Sequence, residues 1–212
     1  MNIVHLQDRL YWGLNRAANI LGGVTDAYRT GDVADPLAKP NRFLKLQAAF
    51  SRADGNFDRA VGYNAPTWLG FFDASYTRVG DYLVQNDDVW FIVEQQPLLP
   101  VLCAQANRTI SITRQVMAST GSATGATNTS MTIDVISRWP ASALGIGTEG
   151  KSPTHLPGET TIASWTVLVP SAHGAIIQPT DIVTDDLGIN GIVIAAELSR
   201  LGWRLSVHQV TT

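Results

Sequence analysis

The chain has one cysteine, Cys103, which excludes an internal disulfide and any multi-cysteine metal centre. Set in Val101-Leu102-Cys103-Ala104, it reads as a small buried hydrophobe. Charge is also scarce, at 16% of residues, against roughly 25% in typical soluble domains. The net charge of -3 gives no electrostatic basis for gripping a nucleic-acid backbone. No run approaches the roughly 20 apolar residues that a membrane-spanning helix needs. Asp8 and Arg9 interrupt the apolar pattern at the N-terminus, so no secretory signal is expected. Asn107-Arg108-Thr109 and Asn128-Thr129-Ser130, which match the glycosylation pattern, therefore carry no weight. The four histidines at positions 5, 155, 173 and 208 lack any H-x-x-x-H or H-x-H spacing for a metal. His155 and His173 fall in loop sequence, and no G-x-S-x-G elbow accompanies them.

What is present is β grammar. Ile3, Leu6, Leu10, Leu14, Ala17 and Leu21 form one helical stripe that Gly22-Gly23 is placed to stop. That helix lies either on its own domain or on a neighbouring subunit. Residues 24–66 are rich in Gly, Pro, Asp and Asn and read as a long extended arm, with one strand expected over Asn41–Phe50. From Trp68 a β unit begins. Tyr82–Val84 follows Asp81 and ends in an Asn-Asp-Asp turn, and Val89–Val93 is apolar throughout, as in a strand covered on both faces. Pro97 and Pro100 mark a crossing connection. Ile110 and Ile112 then alternate with polar residues in a third strand.

The stretch 118–131 lacks charge and, before Met131, large apolar side chains, which is linker composition; a long hairpin tip is the competing reading. Strands are expected next at Thr132–Ile136 and Trp165–Val169, with a loop from Pro140 to Pro157. The first unit is echoed near the end. Trp165 and Asp181 answer Trp68 and Asp81, Ile192-Val193-Ile194 answers Phe91-Ile92-Val93, and Leu205-Ser206-Val207 answers Ile110-Ser111-Ile112. The expected fold is mainly β, with two small antiparallel barrel or sandwich modules, an N-terminal helix and a long arm. The boundaries expected are 1–66 for helix and arm, 67–117 for the first module, 118–131 for linker or hairpin tip, and 132–212 for the second module. Any two antiparallel β-domains share some of this grammar, so duplication and coincidence both remain open.

No assembled chemistry accompanies the pattern. Gly145-Ile146-Gly147-Thr148-Glu149-Gly150 fits G-x-G-x-x-G, but Pro153 and Pro157-Gly158 follow where a helix would have to receive a pyrophosphate, so no cofactor is expected. Asp87-Asp88 and Asp185-Asp186 lack the oxygen count of a calcium loop and suit turns instead. Arg108 and Arg114 flank one strand; contact with an acidic neighbour, contact with DNA and plain surface pairing are the alternatives.

At Gly80-Asp81-Tyr82-Leu83-Val84, Trp90–Cys103 and Asn107-Arg108 the chain resembles poorly characterised structural proteins of tailed bacteriophages and prophages. Asp35-Pro36-Leu37, Thr184–Gly188 and Leu201–Leu205 extend the resemblance. More loosely, the strand pattern is similar to the small β-barrel head-completion and stopper proteins of phage necks. The resemblance implies a virion protein without catalytic residues, assembled in the host cytoplasm as a ring. Its partners would be copies of itself and a portal or adjacent neck or tail protein, with no sequence-specific nucleic acid and no membrane. Contacts are expected at Leu6, Leu10, Leu14, Arg29, Pro36, Leu37, Pro40, Arg42, Arg108 and Arg114, and by strand addition at exposed sheet edges. A capsid decoration or tail-fibre attachment protein is the alternative of the same class. A carbohydrate-binding or hydrolytic tail module, using Trp68, Trp90, Trp165 or Trp203 as platforms, is the alternative of another.

Overall fold

The computed structural model describes residues 3–52, 66–119, 128–145, 164–171 and 174–210. Helix α1 (Ile3–Leu21) leads into β1 (Gly23–Tyr28), β2 (Arg42–Arg52), β3 (Thr67–Phe71), β4 (Tyr82–Gln85), β5 (Asp88–Glu94) and β6 (Val101–Ala106). Then follow β7 (Arg108–Ser119), β8 (Asn128–Gly145), β9 (Ser164–Val169), β10 (Ile182–Asp185), β11 (Asn190–Ser199) and β12 (Gly202–Gln209). The strands close into two antiparallel barrels, ordered β1-β2-β3-β6-β5-β4 and β7-β8-β9-β12-β11-β10. Pairing of β1 with β4, and of β7 with β10, completes each circle.

The two orders are one topology used twice, and the agreement extends to single residues. Ala27 faces Leu83 and Tyr28 faces Tyr82 in the first barrel; Ile112 faces Val183 and Thr113 faces Ile182 in the second. A bulge falls between Ala27 and Tyr28 in one and between Ile112 and Thr113 in the other. A second falls between Ile92 and Glu94, matched between Val193 and Ala195. Bulges re-aim side chains at fixed positions and are kept for that reason. The echo read in the sequence thus has a counterpart in strand order, register and bulge position.

Several expectations are corrected. The arm over 24–66 supplies β1 and β2, so barrel 1 runs from Gly23 to Ala106 and barrel 2 from Arg108 to Gln209. Few large apolar residues in Gly23–Tyr28 hid β1; burial of Thr25 and Ala27, small enough for a barrel interior, is what makes it a strand. Ile110–Ile112 opens barrel 2 rather than closing the first unit, so its counterpart is β1 and not Leu205–Val207. Pro97 and Pro100 sit in a hairpin connection, because β5 pairs directly with β6. Strand β8 passes through Pro140 to Gly145, beyond the expected loop start. Pro140 is tolerated just after a bulge at Ser137-Arg138, where Arg138 takes φ 57°. The supposed linker begins as paired strand, with Ala118 opposite Thr129 and Ser119 opposite Asn128; residues 120–127 lie outside the described ones. Closure also removes the free edges expected along the barrel walls.

Barrel 1 is filled by Ala27, Ala48, Phe72, Leu83, Trp90, Ile92 and Cys103. Its wall residues Tyr82, Phe91, Val93 and Ala104 point the other way and join the core cluster of barrel 2. Residues directly opposite on paired strands share a face. Tyr82–Phe91 and Phe91–Ala104 are such pairs, so they form one outward row across β4, β5 and β6. This explains why Val89–Val93 is apolar on both faces: one side lines a barrel and the other meets its twin.

Helix α1 lies on β2 and β3 of barrel 1. Leu14 and Ala18 are buried there. Gly22 follows, and a Cβ at that position would lie 2.1 Å from Ala48 O, so only glycine lets helix and strand approach this closely.

Candidate functional site

Each barrel is fastened by one arginine and one aspartate. Arg29, just past β1, donates from Nε to Asp81 Oδ1 at 2.7 Å and from Nη2 to Asp81 Oδ2 at 2.6 Å. The same Nη2 reaches Tyr76 O at 3.0 Å, and Arg78 N donates to Asp81 Oδ2 at 2.8 Å. In barrel 2, Arg114 Nε donates to Asp181 Oδ1 at 2.7 Å and Nη2 to Oδ2 at 2.9 Å. Arg114 Nη2 also reaches Ile176 O at 2.7 Å, and Gln178 N donates to Asp181 Oδ2 at 2.8 Å. Each of these hydrogen bonds has its counterpart; the Arg78 side chain, 4.0 Å from Asp81 Oδ1, is the exception, because Gln178 stands at the equivalent position. The aspartate side chains are 1% and 0% exposed, while the arginines are under one-third exposed. Backbone at the preceding residue is left-handed in both, φ 92° at Gly80 and 79° at Thr180.

Chemically these carboxylates are committed. Two guanidinium donors and a backbone N–H take up three of the roughly four acceptor positions of each one, which holds it as the charged partner of its arginine. The Arg29 and Arg114 pKa values are raised first by the hydrogen bond to the aspartate, with desolvation opposing and the opposite charge assisting. Burial pushes the Cys103 thiol well up, so it stays protonated and inert. No cluster of three metal-ligating side chains exists among the described residues.

The barrels meet around Trp139 of β8. Tyr82 Oη donates to Pro140 O at 2.9 Å, and its ring stands edge-on to Trp139 with centroids 6.1 Å apart. Trp139 Nε1 donates to Val33 O and Ala34 O, both at 3.0 Å, which holds the 29–41 loop of barrel 1 against barrel 2. Ser137 N adds a bond to Val33 O at 2.9 Å. An open pocket of about 350 Å³ lies beside this joint, lined by Arg29, Arg78, Asp81, Trp139 and Ser171. A second cleft, about 550 Å³, opens between α1 and barrel 1. Phe50, Trp68, Phe71 and Trp90 line it with Gln85, Asp88 and Gln105. Trp90 stacks on Phe50 at 4.0 Å, and the Arg52 guanidinium lies 5.4 Å from the Trp68 ring.

The residues singled out for partner contact divide between inside and outside. Arg29 and Arg114 form the clamps, and Leu14 is buried beneath α1. Pro36 is buried, and Leu37 packs against the barrel 2 cluster. Arg42 pairs with Asp26 at 3.2 Å and Arg108 approaches Asp185 at 3.7 Å. Leu6 and Pro40 are exposed, and Leu10 is half-buried. His155 and His173, and all but the first residue of the glycine pattern from Gly145, lie outside the described residues. Asp185 behaves as turn chemistry requires, its Oδ1 accepting from Leu187 N at 3.0 Å and Ile189 N at 2.8 Å.

Sequence reasoning missed the pairing of the clamps and the outward row. The available signal was the recurrence of an aspartate immediately before a short apolar strand, at Asp81 and Asp181; nothing local pointed to the arginines. Comparison with known proteins finds no matching family model, no matching curated protein and no matching solved structure.

Proposed function

We propose that this chain is a structural protein of a tailed-phage particle, at the head–tail interface or in the tail, working as a homo-oligomeric ring against a portal or neighbouring tail protein. The resemblance at Gly80–Val84 and Trp90–Cys103 suggests the particle. The observation that carries the ring is the outer side of α1. While Leu14 and Ala18 face the barrel, Trp12 and Ile20 face away, 65% and 75% exposed. A soluble monomer gains nothing from such a surface, and subunit contact covers it. The committed carboxylates and the inert thiol fit a role that is geometric rather than catalytic. Mass spectrometry and reconstruction of the purified particle test this: the chain is expected as a ring on the axis. Its absence from virions sinks the reading, and density on the capsid face or at a fibre base transfers it to a decoration or attachment protein.

The aromatic cleft supports a second reading, a carbohydrate-binding module. One face of Trp90 is taken by Phe50 and the Arg52 guanidinium stands at Trp68, which leaves less platform than sugar stacking uses. A glycan array decides: saturable binding lost in Trp68→Ala would favour it.

A further inference from the structure

The row that barrel 1 presses onto barrel 2 has a copy on barrel 2 that stays open among the described residues. In barrel 1 the row runs Tyr28–Tyr82–Phe91–Ala104 through successive cross-strand pairs. In barrel 2 the same positions are Thr113, Ile182, Ile192 and His208, again linked by successive pairs. The bulged residue Val93 corresponds to Ile194. Within the chain Val93 is 6% exposed and Phe91 1%, whereas Ile194 is 50% and Ile192 37% exposed. Isoleucine stands at both positions, where solvent alone would not call for it.

The receiving surface is also repeated. Barrel 1 seats on β8 at Trp139 and Pro140. Gly145 faces Trp165 as Arg52 faces Trp68, which makes β2 the equivalent of β8. On barrel 1 this seat is occupied in part by α1, which enters β1 through Gly22 as β6 enters β7 through Asn107. The cleft left there is lined by Ala17, Leu21, Ala49 and Phe71.

We propose that the outer face of β10, β11 and β12, centred on Ile182, Ile192 and Ile194, docks on the α1–β2–β3 side of barrel 1 in a second copy of this chain. The contact repeats between copies the joint made within each one. Because donor and acceptor are different surfaces, the arrangement is head-to-tail, the kind that closes into rings. The choice of a second copy rests on the ring reading above, and continuity with the intrachain joint specifies where it binds.

Two variants test it on the full chain. Ile192→Asp with Ile194→Asp changes only outward positions, so the far-UV spectrum and Tm are expected to hold while self-association in sedimentation weakens by at least about tenfold. Ile194→Cys with Leu21→Cys is expected to give an intermolecular disulfide, Cys103 being buried and inert. Unchanged association of the Asp variant, with no cross-link in an oligomer that still forms, overturns the interface and leaves the ring. A wild-type chain that stays monomeric, both free and in cross-linked particles, overturns both. Loss of particle incorporation with self-association intact assigns the face to a different protein and also overturns the proposal.

Discussion

Arg29 and Arg114 show how a low-charge chain uses its few charges. Each reaches into a barrel end to neutralise an aspartate that has almost no solvent of its own. Removing Arg114 leaves the buried Asp181 carboxylate without its guanidinium, which costs about 3 kcal/mol, at the low end for broken buried pairs because the guanidinium is partly exposed; Asp81 keeps Arg78, whose Nε lies 4.0 Å from Oδ1, when Arg29 is removed. Arg114→Ala is expected to lower stability by that amount in urea unfolding, and Arg29→Ala by less, because Arg78 stays beside Asp81. Both arginine pKa values are raised, so this linkage adds stability across the neutral range and fades only in strongly alkaline solution, as pH rises past the ordinary guanidinium value. The clamps also show where reading a sequence stops. Asp81 and Asp181 announce themselves before similar strands, but their partners are 52 and 67 residues upstream, in segments that otherwise look unalike. Interior positions differ more between the barrels. Trp90 and Gly191 face the equivalent residues Leu83 and Val183. Added atoms at Gly191 would meet Val207 at 2.4 Å, and Trp165 lies close by, whereas Trp90 occupies its own barrel end against Phe50.

At the scale of elements, the strands with alternating or dense apolar residues were legible: β4, β5, β9 and β11 stand where the pattern puts them. Those made of small residues were not. β1 and the far half of β8 gain their order from closure, since a barrel wall supplies each strand with two neighbours whatever its own propensity. The helix was legible as a stripe, although the face that packs runs through Leu14 and Ala18 and leaves Leu6 and Leu21 outside. Its end depends on Gly22. Gly22→Ala places a methyl group against Ala48 O, and the helix must lift from β2 to relieve the clash. The expected loss is about 2 kcal/mol, visible as a lower Tm by circular dichroism, whereas Gly13→Ala, where a Cβ meets nothing within 4 Å, is expected to be neutral or stabilising.

For the molecule as a whole, the decisive contact is between the barrels, and Tyr82 is at its centre. Burial raises the Tyr82 pKa well above 10.0, and Asp35 raises it further. The folded state therefore keeps a proton that the unfolded chain releases, and stability is complete below pH 10 and declines above it. Tyr82→Phe gives up the bond to Pro140 O, about 1 kcal/mol at neutral pH, and is expected to flatten the decline above pH 10 when unfolding free energy is followed against pH. The doubled architecture could be anticipated from the echo of Asp81 at Asp181. The joint could not, because both of its faces read as ordinary strand sequence.

The strand order also sets a timetable for synthesis. Barrel 1 is complete once Ala106 has left the ribosome, and its last strand slots between two already made. At that moment Tyr82, Phe91, Val93 and Ala104 stand uncovered, because Trp139 and Pro140 have yet to emerge. A nascent chain carries this patch in the open until β8 has formed. Only Asn107 separates the barrels, so the finished second barrel emerges within reach of its own first barrel before a neighbouring polysome can supply another.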